Sequence, residues 1–582
     1  MSNQVHDMSA STTGSWPEKR TSRFTFFSAA QIPITILALL IAFFVLYPIL
    51  SMFGVAFFRG GSLQLDALAS VSNADWLLGT LLDTVIVVAT SGVLAILFGT
   101  LLAWLNERTN ARMGFFGDLL PLVPLLVPSV AMAIGWVFLA SPGSGFINGV
   151  LNVVLVPLGL KYSVNVWSWT GVILVYTLHA VPYVYLVVGA AIRNMDTSLE
   201  ESARMSGAGV WKTFKDVNMP AILPSILAAS LLVSITGFSN YSIPAILAER
   251  ADISMLSVRV FLLLHEEYPP KLDQAALLAS FLLVIIAGIW ALQRVVLARG
   301  RFAAVGGKAT SPRLVNLHGW RWVARAGMAL FFLMAAVLPM AGLIVVSLQP
   351  YWQSVIDVSQ LTFENYIAVF QQNVVTRAAF VNSAILSGTA GLVAISVAAL
   401  MAIYAGRKTS ILAPVVDVLM KLPAAFSHLA IAVGFMVAFA GPPFGLGGTV
   451  WLLLLAYIVL YIPEASIAAT SAHSQIGRDL LESSAMSGAS PGRTIAKIQL
   501  PLMLPGLASG WALLFVLCAG EITASALLAT VAQPVIGFVI LSAWTAGHFG
   551  TLAALAAGFA LMNAVVVMLA YLIGRRPHLR ST

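Results

Sequence analysis

The stretch ESARMSGAGVWKTFKDVNMP, residues 201–220, has a second copy, ESSAMSGASPGRTIAKIQLP, at residues 482–501. Aligned without a gap, Glu, Ser, Met-Ser-Gly-Ala, Thr and Pro recur at matching positions. Both copies are polar, whereas the chain of 582 residues is 59% apolar and only 9% charged. Self-similarity at a fixed spacing is the signature of a duplicated architecture. The repeat therefore predicts two similar halves, each with one polar segment.

The rest of the sequence is typical of a membrane protein. Its mean hydropathy is +0.93, and about 20 consecutive apolar residues cross the hydrocarbon core of a bilayer. Apolar runs of about this length lie near residues 33–58, 79–105, 119–140, 166–191, 225–248, 273–297, 325–348, 379–405, 411–440, 450–473, 505–529 and 549–573. We therefore predict an all-α polytopic membrane protein with about 12 transmembrane helices in two parallel six-helix repeats.

Basic residues are distributed unevenly between the loops that join these runs. If the N-terminus is cytoplasmic, about 24 Lys and Arg residues fall on the cytoplasmic side and about six on the other. Cytoplasmic loops carry the excess of positive charge in membrane proteins. We therefore predict that the termini and both polar segments face the cytoplasm. The net charge of +8 follows from this topology, and no basic face with interleaved aromatics indicates a nucleic-acid partner.

A second internal match supports the duplication. PLVPLLVPSVAMAIGW at 121–136 resembles MKLPAAFSHLAIAVGF at 420–435. Because six apolar runs separate the two polar segments, both repeats begin on the same side of the membrane, as parallel repeats do. The predicted parts are a disordered cytoplasmic tail at 1–24, a first half at 25–300, a cytoplasmic linker at 301–324 and a second half at 325–582.

Each polar segment predicts two short helices separated by glycine. Capping boxes, in which Ser or Thr precedes Glu by three residues, begin the first helix at Thr197 or Ser198. Gly207 and Gly488 occupy the position where a left-handed residue ends a helix, and Gly209 offers a second such position. Ser490 followed by Pro491 predicts an N-cap with proline as the first helical residue. Pro220 is expected to end the second helix, because proline disfavours helix at the residue before it. Loops this long, with marked helix starts, indicate docking sites for a cytoplasmic partner.

The two segments resemble the EAA loop, E-A-A-x3-G-x9-I-x-L-P, of binding-protein-dependent ABC importer permeases. In that family the loop forms a coupling helix seated in a groove of the ATPase subunit. The residues at the matching positions are Glu201, Ser202, Ala203, Gly207, Pro220, Glu482, Ser483, Ser484, Gly488 and Pro501. The resemblance implies a MetI-like type I transmembrane fold with both permease halves fused, and family cores at about 75–297 and 377–573. It also implies that the protein lies in the bacterial inner membrane.

The same resemblance implies the partners. It predicts two copies of a cytoplasmic ABC ATPase and a periplasmic substrate-binding protein, which are separate chains. ATP is then used by the ATPase, so this chain is expected to bind no cofactor and not to be an enzyme. Its expected role is to move a small solute, delivered by the binding protein, into the cytoplasm.

Among fused permeases, the layout is most similar to the ferric-iron group. The similarity rests on GSGFINGVL, FSNYSIPAILAE and VFLLLHEEYPPKLDQAALLASFLL. Permeases for 2-aminoethylphosphonate, thiamine and polyamines are alternatives. From another class, a twelve-helix secondary transporter would also have two parallel halves, but it has no use for paired polar loops. A membrane enzyme would need a clustered catalytic constellation, and we assign no catalytic residues.

Ionisable residues inside apolar runs are costly and point to function. The 281-residue offset aligns Asn240 and Tyr241 with Glu521 and its neighbour. We therefore expect Asn240, Tyr241 and Glu521 to face each other across the axis between the halves and to line the translocation path. No His, Asp and Glu cluster has the spacing of metal ligands, so no metal site is predicted.

The remaining polar residues of the apolar runs are interpreted as structural. Asp417 and Lys421 lie one helical turn apart, which predicts an ion pair. His428 is interpreted as a satisfied core residue rather than a ligand. The single cysteine, Cys518, excludes internal disulfides and cysteine-based metal clusters.

Overall fold

The computed structural model describes residues 32–59, 62–63, 66–114, 116–117, 122–160, 162–195, 198–299, 314–405 and 413–574. The predicted tail at 1–24 and most of the linker lie outside these residues. The helices of the first half are α1 (Ile32–Phe57), α2 (Asp66–Ser72), α3 (Asp75–Arg108), α4 (Leu122–Leu126), α5 (Ser129–Ala140), α6 (Phe146–Leu155), α7 (Trp169–Asn194), α8 (Ser198–Met205), α9 (Val210–Thr213), α10 (Met219–Ser239), α11 (Leu256–His265) and α12 (Leu272–Arg299). A small hairpin, β1 (Phe58–Arg59) with β2 (Ser62–Leu63), follows α1.

The second half repeats this order of elements. Its helices are α13 (Trp320–Phe332), α14 (Leu338–Leu348), α15 (Glu364–Ile367), α16 (Val374–Ala405), α17 (Ala413–Lys421), α18 (His428–Phe439), α19 (Val450–Ser474), α20 (Arg478–Met486), α21 (Pro491–Thr494), α22 (Leu500–Ala519), α23 (Thr523–Leu528), α24 (Ile536–Thr545) and α25 (Phe549–Gly574). The helical, all-α prediction is therefore confirmed.

Within the described residues, ten helices are long and apolar enough to cross a membrane, and an eleventh span arises if α17 and α18 are counted together. The chain bends by 104° between these two. The remaining predicted span, 119–140, which is the third along the chain, is not one long helix. In its described part, α4 ends before Pro128 and α5 begins after it. Proline cannot donate to the helical ladder and favours such breaks. The two interrupted spans are the segments that match in sequence, so the duplication includes the interruption.

Each half packs against a helix of the other half. The first span, α1, packs against α18, and α14 packs against α5. At both crossings a glycine lies against a proline of the other half, Gly434 against Pro48 and Gly135 against Pro339. A β-carbon at either glycine would lie within 3 Å of the proline carbonyl oxygen, at 2.8 and 2.4 Å. The halves therefore share a continuous apolar core rather than meeting at a polar surface.

The two polar segments continue into the next span without a break. Residues Phe214–Asn218 and Ile495–Gln499, 281 positions apart, each form a π turn. In the first, the N–H of Met219 donates to a carbonyl five residues back. Pro220 follows, with no N–H to donate, and the wider turn leaves room for its ring. The prediction that Pro220 ends a helix is therefore wrong, because the proline only shifts the hydrogen-bond pattern.

Candidate docking loops and intramembrane polar cluster

The two polar loops, residues 198–218 and 478–499, end their first helices in the same way. Gly207 follows α8 with φ +81°, and Gly488 follows α20 with φ +75°. The N–H of the residue after each glycine donates to a carbonyl five residues back, at 3.0 and 3.1 Å. These are the bonds of a Schellman cap, which a left-handed glycine makes without strain. The predicted glycine caps are confirmed.

The second helix of the second loop begins as predicted, whereas the first loop differs. Ser490 is the N-cap of α21, and its hydroxyl accepts from the N–H of Arg493 at 3.4 Å, with Pro491 as the first helical residue. In the first loop Gly209 takes the N-cap position with φ −69°. This glycine is therefore not a second left-handed position.

Most residues at the EAA positions are exposed. These are Glu201, Ser202, Gly207, Pro220, Glu482, Ser483, Gly488 and Pro501. Ala203 is half-buried, whereas Ser484 is buried and shares a 2.8 Å hydrogen bond with Thr494, which closes the second loop on itself. The equivalent Met205 and Met486 are 82% and 89% exposed. The two loops therefore expose the same large apolar side chain at the same place.

A buried ion pair ties the first loop to the membrane spans. The Arg108 guanidinium, at the end of α3, lies 3.5 Å from Glu200 of α8, and both side chains are nearly inaccessible. Arg108 also donates to the carbonyls of Ile192 and Met195 at the end of α7, at 2.6 and 2.9 Å. Burial raises the pKa of the Glu200 carboxyl above its usual range, although the Arg108 charge acts against this. One arginine thus joins two spans to the loop.

The second loop is held differently. The position equivalent to Glu200 is Leu481, which is half-buried and packs against the apolar core. The first loop is therefore attached through charge and the second through apolar contact. Neither Arg108 nor Glu200 was predicted as a site residue. The one signal in the sequence was that the first loop has Glu200 where the second has Leu481.

Glu521 is the centre of a buried cluster at the junction of α22 and α23. Its Oε2 accepts from the Tyr461 hydroxyl at 2.6 Å and lies 2.7 Å from Nδ1 of His428. Its Oε1 accepts from the N–H of Ala524 at 3.0 Å. The side chain is only 4% exposed, so these bonds replace water around the carboxylate. The cluster, defined as Glu521, His428 and Tyr461, joins α18 and α19 to the end of α22.

Asn240 occupies the equivalent place in the first half and makes the same local bond. Its Oδ1 accepts from the N–H three residues on, at 3.0 Å, as Glu521 does. Tyr241 is buried and its ring packs on Phe261, with centroids 5.0 Å apart. The halves meet here, because the Thr523 hydroxyl donates to the Ser239 carbonyl at 3.4 Å. Among the described residues, no hydrogen bond joins Asn240 to Glu521.

Two structural predictions agree with the structure. Asp417 and Lys421 form the predicted ion pair at 2.6 Å. His428 was expected to be a satisfied residue, and its Nδ1 is hydrogen-bonded to Glu521, a partner 93 positions away that the sequence did not identify. Within the described part of the chain, no three His, Cys, Asp or Glu side chains are placed to hold a metal ion.

Comparison with known proteins agrees with the duplicated layout. The family model described as "Binding-protein-dependent transport system inner membrane component" matches residues 95–299 and 392–578. A probable ABC transporter permease, y4fN of Sinorhizobium fredii, is 30% identical over 81% of this chain and 83% of its own length.

Two further relatives have names that state a solute. The ferric transport system permease FbpB of Actinobacillus pleuropneumoniae is 23% identical over 92% of this chain and 76% of its own length. The molybdenum transport system permease ModB of Escherichia coli is 30% identical over 23% of this chain and 56% of its own length. With one family match in each half, the chain belongs to the binding-protein-dependent transport system inner membrane components, the ABC transporter permeases.

Proposed function

We propose that this chain is the fused permease pair of an ATP-driven importer, and that each polar loop docks one subunit of a cytoplasmic ABC ATPase. The equivalence of the two loops carries the proposal. Both have a left-handed glycine cap, both expose a methionine beside it, and both continue through a π turn into a span. Two copies of one surface fit two copies of one partner.

The loops are built to pass movement to the membrane. Because each π turn runs directly into α10 or α22, displacement of a loop acts on a span. Closure of the ATPase dimer on ATP draws the two loops together and turns the cavity between the halves outward. The cavity then receives solute from a periplasmic binding protein, and reopening after hydrolysis releases the solute to the cytoplasm.

The solute that we propose is ferric iron. The similarity to a ferric permease over 92% of this chain supports iron. The similarity to a molybdenum permease covers 23% of the chain. A binding protein selects the solute in such systems, so the measurement that identifies it is ligand binding by the partner.

The docking proposal is tested by Gly488→Val. A β-branched residue is poorly accepted at φ +75°, while a β-carbon there meets no atom within 4 Å. The change therefore distorts the cap without a clash in the core. We expect normal membrane insertion, reduced co-purification of the ATPase and loss of ATP-dependent uptake.

Gly288→Val is the control. It lies in α12, outside both docking loops, where a β-carbon also meets no atom within 4 Å and φ is not positive. This variant should keep uptake and ATPase binding. Wild-type uptake and ATPase binding in Gly488→Val would contradict the docking role, and uptake that persists without any ATPase would favour a secondary transporter.

A further inference from the structure

Charged groups of the second half meet the first half next to the axis that relates the halves. The Thr523 hydroxyl, two residues after Glu521, donates to the Ser239 carbonyl of the first half at 3.4 Å. At the offset of 281 positions, Ser242 and Gly520 are the equivalents of these two residues, so two equivalent stretches of chain meet here. Equivalent stretches can approach each other only beside the axis. The cluster of Glu521, His428 and Tyr461 therefore lies between the halves, which is where solute sites of repeat-built transporters lie.

His428 is held so that one ring nitrogen is available. Its Nδ1 lies 2.7 Å from the Glu521 carboxylate, which can only accept, so Nδ1 carries the proton. The ring is one third exposed, whereas Glu521 is 4% exposed. Among the described residues, Nε2 has no hydrogen-bond partner. The Glu521 carboxylate thus holds the imidazole at Nδ1, and the lone pair of Nε2 is free to bind a ligand.

A second carboxylate lies on the helix face that packs against the same imidazole. The Tyr461 ring meets the His428 ring edge-on, with centroids 5.5 Å apart, and Glu464 lies three residues further along α19, on the same face of that helix. Its Oε2 atom is buried and accepts no hydrogen bond from the described residues. An ionisable side chain at membrane depth without a partner is costly, so it indicates a ligand that completes it. In the first half, Ser129 is equivalent to His428 and Tyr183 is equivalent to Glu464.

We propose that His428 Nε2 and the Glu464 carboxylate form a transit site for a metal cation in the translocation path, with Glu521 as the positioning residue for His428. The inference rests on the proposed importer function and specifies the class of its solute. A histidine that binds a metal characteristically donates its other ring N–H to a carboxylate, which fixes the tautomer and the ring orientation. His428 and Glu521 have this arrangement.

The composition of the site suits passage rather than storage. Two protein ligands hold a metal ion weakly, and a conducting site must release what it binds. Two carboxylates beside one imidazole attract a cation and repel an oxyanion at membrane depth, where charge interactions are strong. The site therefore favours a metal cation over molybdate or a phosphonate.

The test uses proteoliposomes that contain the complete transporter, with its ATPase and binding protein, and radioactive ferric iron as the probe. His428→Gln should lower iron uptake by roughly 10–100-fold, the loss typical for a disturbed metal site. ATP hydrolysis stimulated by the binding protein should persist. His548→Gln, an exposed histidine outside the site, is the control and should transport iron as the wild type does.

Glu464→Gln is the second variant, chosen because it should not affect folding. It keeps the shape of the side chain and breaks no hydrogen bond at Oε2. It should also lose iron uptake while keeping stimulated ATP hydrolysis. The positioning role of Glu521 is measured with Cu²⁺ and electron paramagnetic resonance on the full chain. Glu521→Gln should keep the nitrogen coupling but weaken Cu²⁺ binding, whereas His428→Gln should remove one coupled nitrogen.

Wild-type iron uptake in both His428→Gln and Glu464→Gln overturns the inference. So does a transporter whose ATP hydrolysis is stimulated by molybdate or a phosphonate with its binding protein, and not by iron. That second result leaves the importer function standing. A wild-type chain that neither binds nor stimulates an ATPase overturns the proposed function and the inference together.

Discussion

Gly434 of α18 lies directly against the backbone of Pro48 in α1, across the boundary between the two halves. A β-carbon at Gly434 would lie 2.8 Å from the Pro48 carbonyl oxygen, and Gly135 has the same relationship to Pro339. The repeat therefore includes the contact by which each half receives a helix of the other. Because the atoms in the way belong to the backbone, no change of rotamer can relieve a clash there.

Gly434→Ala should therefore destabilise the protein. Overpacking of a well-filled contact typically costs about 1–3 kcal/mol, and the melting temperature in detergent should fall. The control is Gly54→Ala, in α1, where a β-carbon meets no atom within 4 Å and alanine favours helix by up to about 1 kcal/mol. If both variants melt together with the wild type, α1 and α18 are not in the contact described.

Separate expression of the halves should show that each needs the other. Fragments 1–306 and 313–582, cut within residues outside the described structure, should co-purify and transport when expressed together. Each fragment expressed alone should be degraded or aggregate, because α1 or α14 then lacks the helix it packs against. Pull-down and size-exclusion chromatography measure the outcome, and a stable single fragment would show that the exchanged helices are not required.

Arg108→Leu should weaken the first loop in a pH-dependent way. Loss of one partner of a buried ion pair typically costs about 3–5 kcal/mol. Burial already holds the pKa of Glu200 above its usual 4.5, so the folded state keeps the proton longer than the unfolded state. The cost of ionising Glu200 therefore appears as the pH rises above 4.5 and the carboxyl loses its proton. Removing Arg108 raises the pKa further, so the loss of stability should shrink at lower pH.

The double variant Arg108→Leu with Glu200→Leu is the control for charge. Leu481 shows that leucine fits the equivalent position, so the double variant should melt above either single variant. Uptake should stay below wild type if the ion pair transmits movement from the loop to α3 and α7. Additive losses in the thermal midpoints would show that Arg108 and Glu200 do not interact.

Cysteine labelling should place the loops on their sides of the membrane. In a Cys518→Ala background, Tyr268→Cys should react with an impermeant maleimide in intact cells, because Tyr268 is 98% exposed in a loop predicted to be periplasmic. Ser311→Cys, in the predicted cytoplasmic linker, should react only after lysis. The reverse pattern would invert the predicted topology.

Predictions that depend on a few consecutive residues agree with the structure. The glycine caps at Gly207 and Gly488 follow from the absence of a β-carbon, and the Ser490 N-cap follows from a hydroxyl placed before a proline. The Asp417–Lys421 pair needs one helical turn. The prediction for Pro220 was wrong, although it was also local, because a π turn offers proline an alternative to ending the helix.

Contacts between distant residues were not predictable. Glu521 was singled out as a residue of the translocation path, but its hydrogen-bond partners were not predicted. His428 and Tyr461 lie 93 and 60 positions away from it in the sequence. The bond to His428 requires the 104° bend before α18. Prolines in the sequence favour a break at that point, but they do not set the direction in which the chain continues.

By itself the sequence determined the duplication, the apolar spans and the caps of the two polar loops, because hydropathy and backbone preference act within one or two helical turns. The exchange of α1 and α14 between the halves, the Arg108–Glu200 attachment and the bond of His428 to Glu521 were decided only by the tertiary structure. Many apolar helix faces pack against one another equally well. The crossing is selected by close approach at Gly434 and Gly135 and by the partners that buried charges require, and both are properties of the assembled helices.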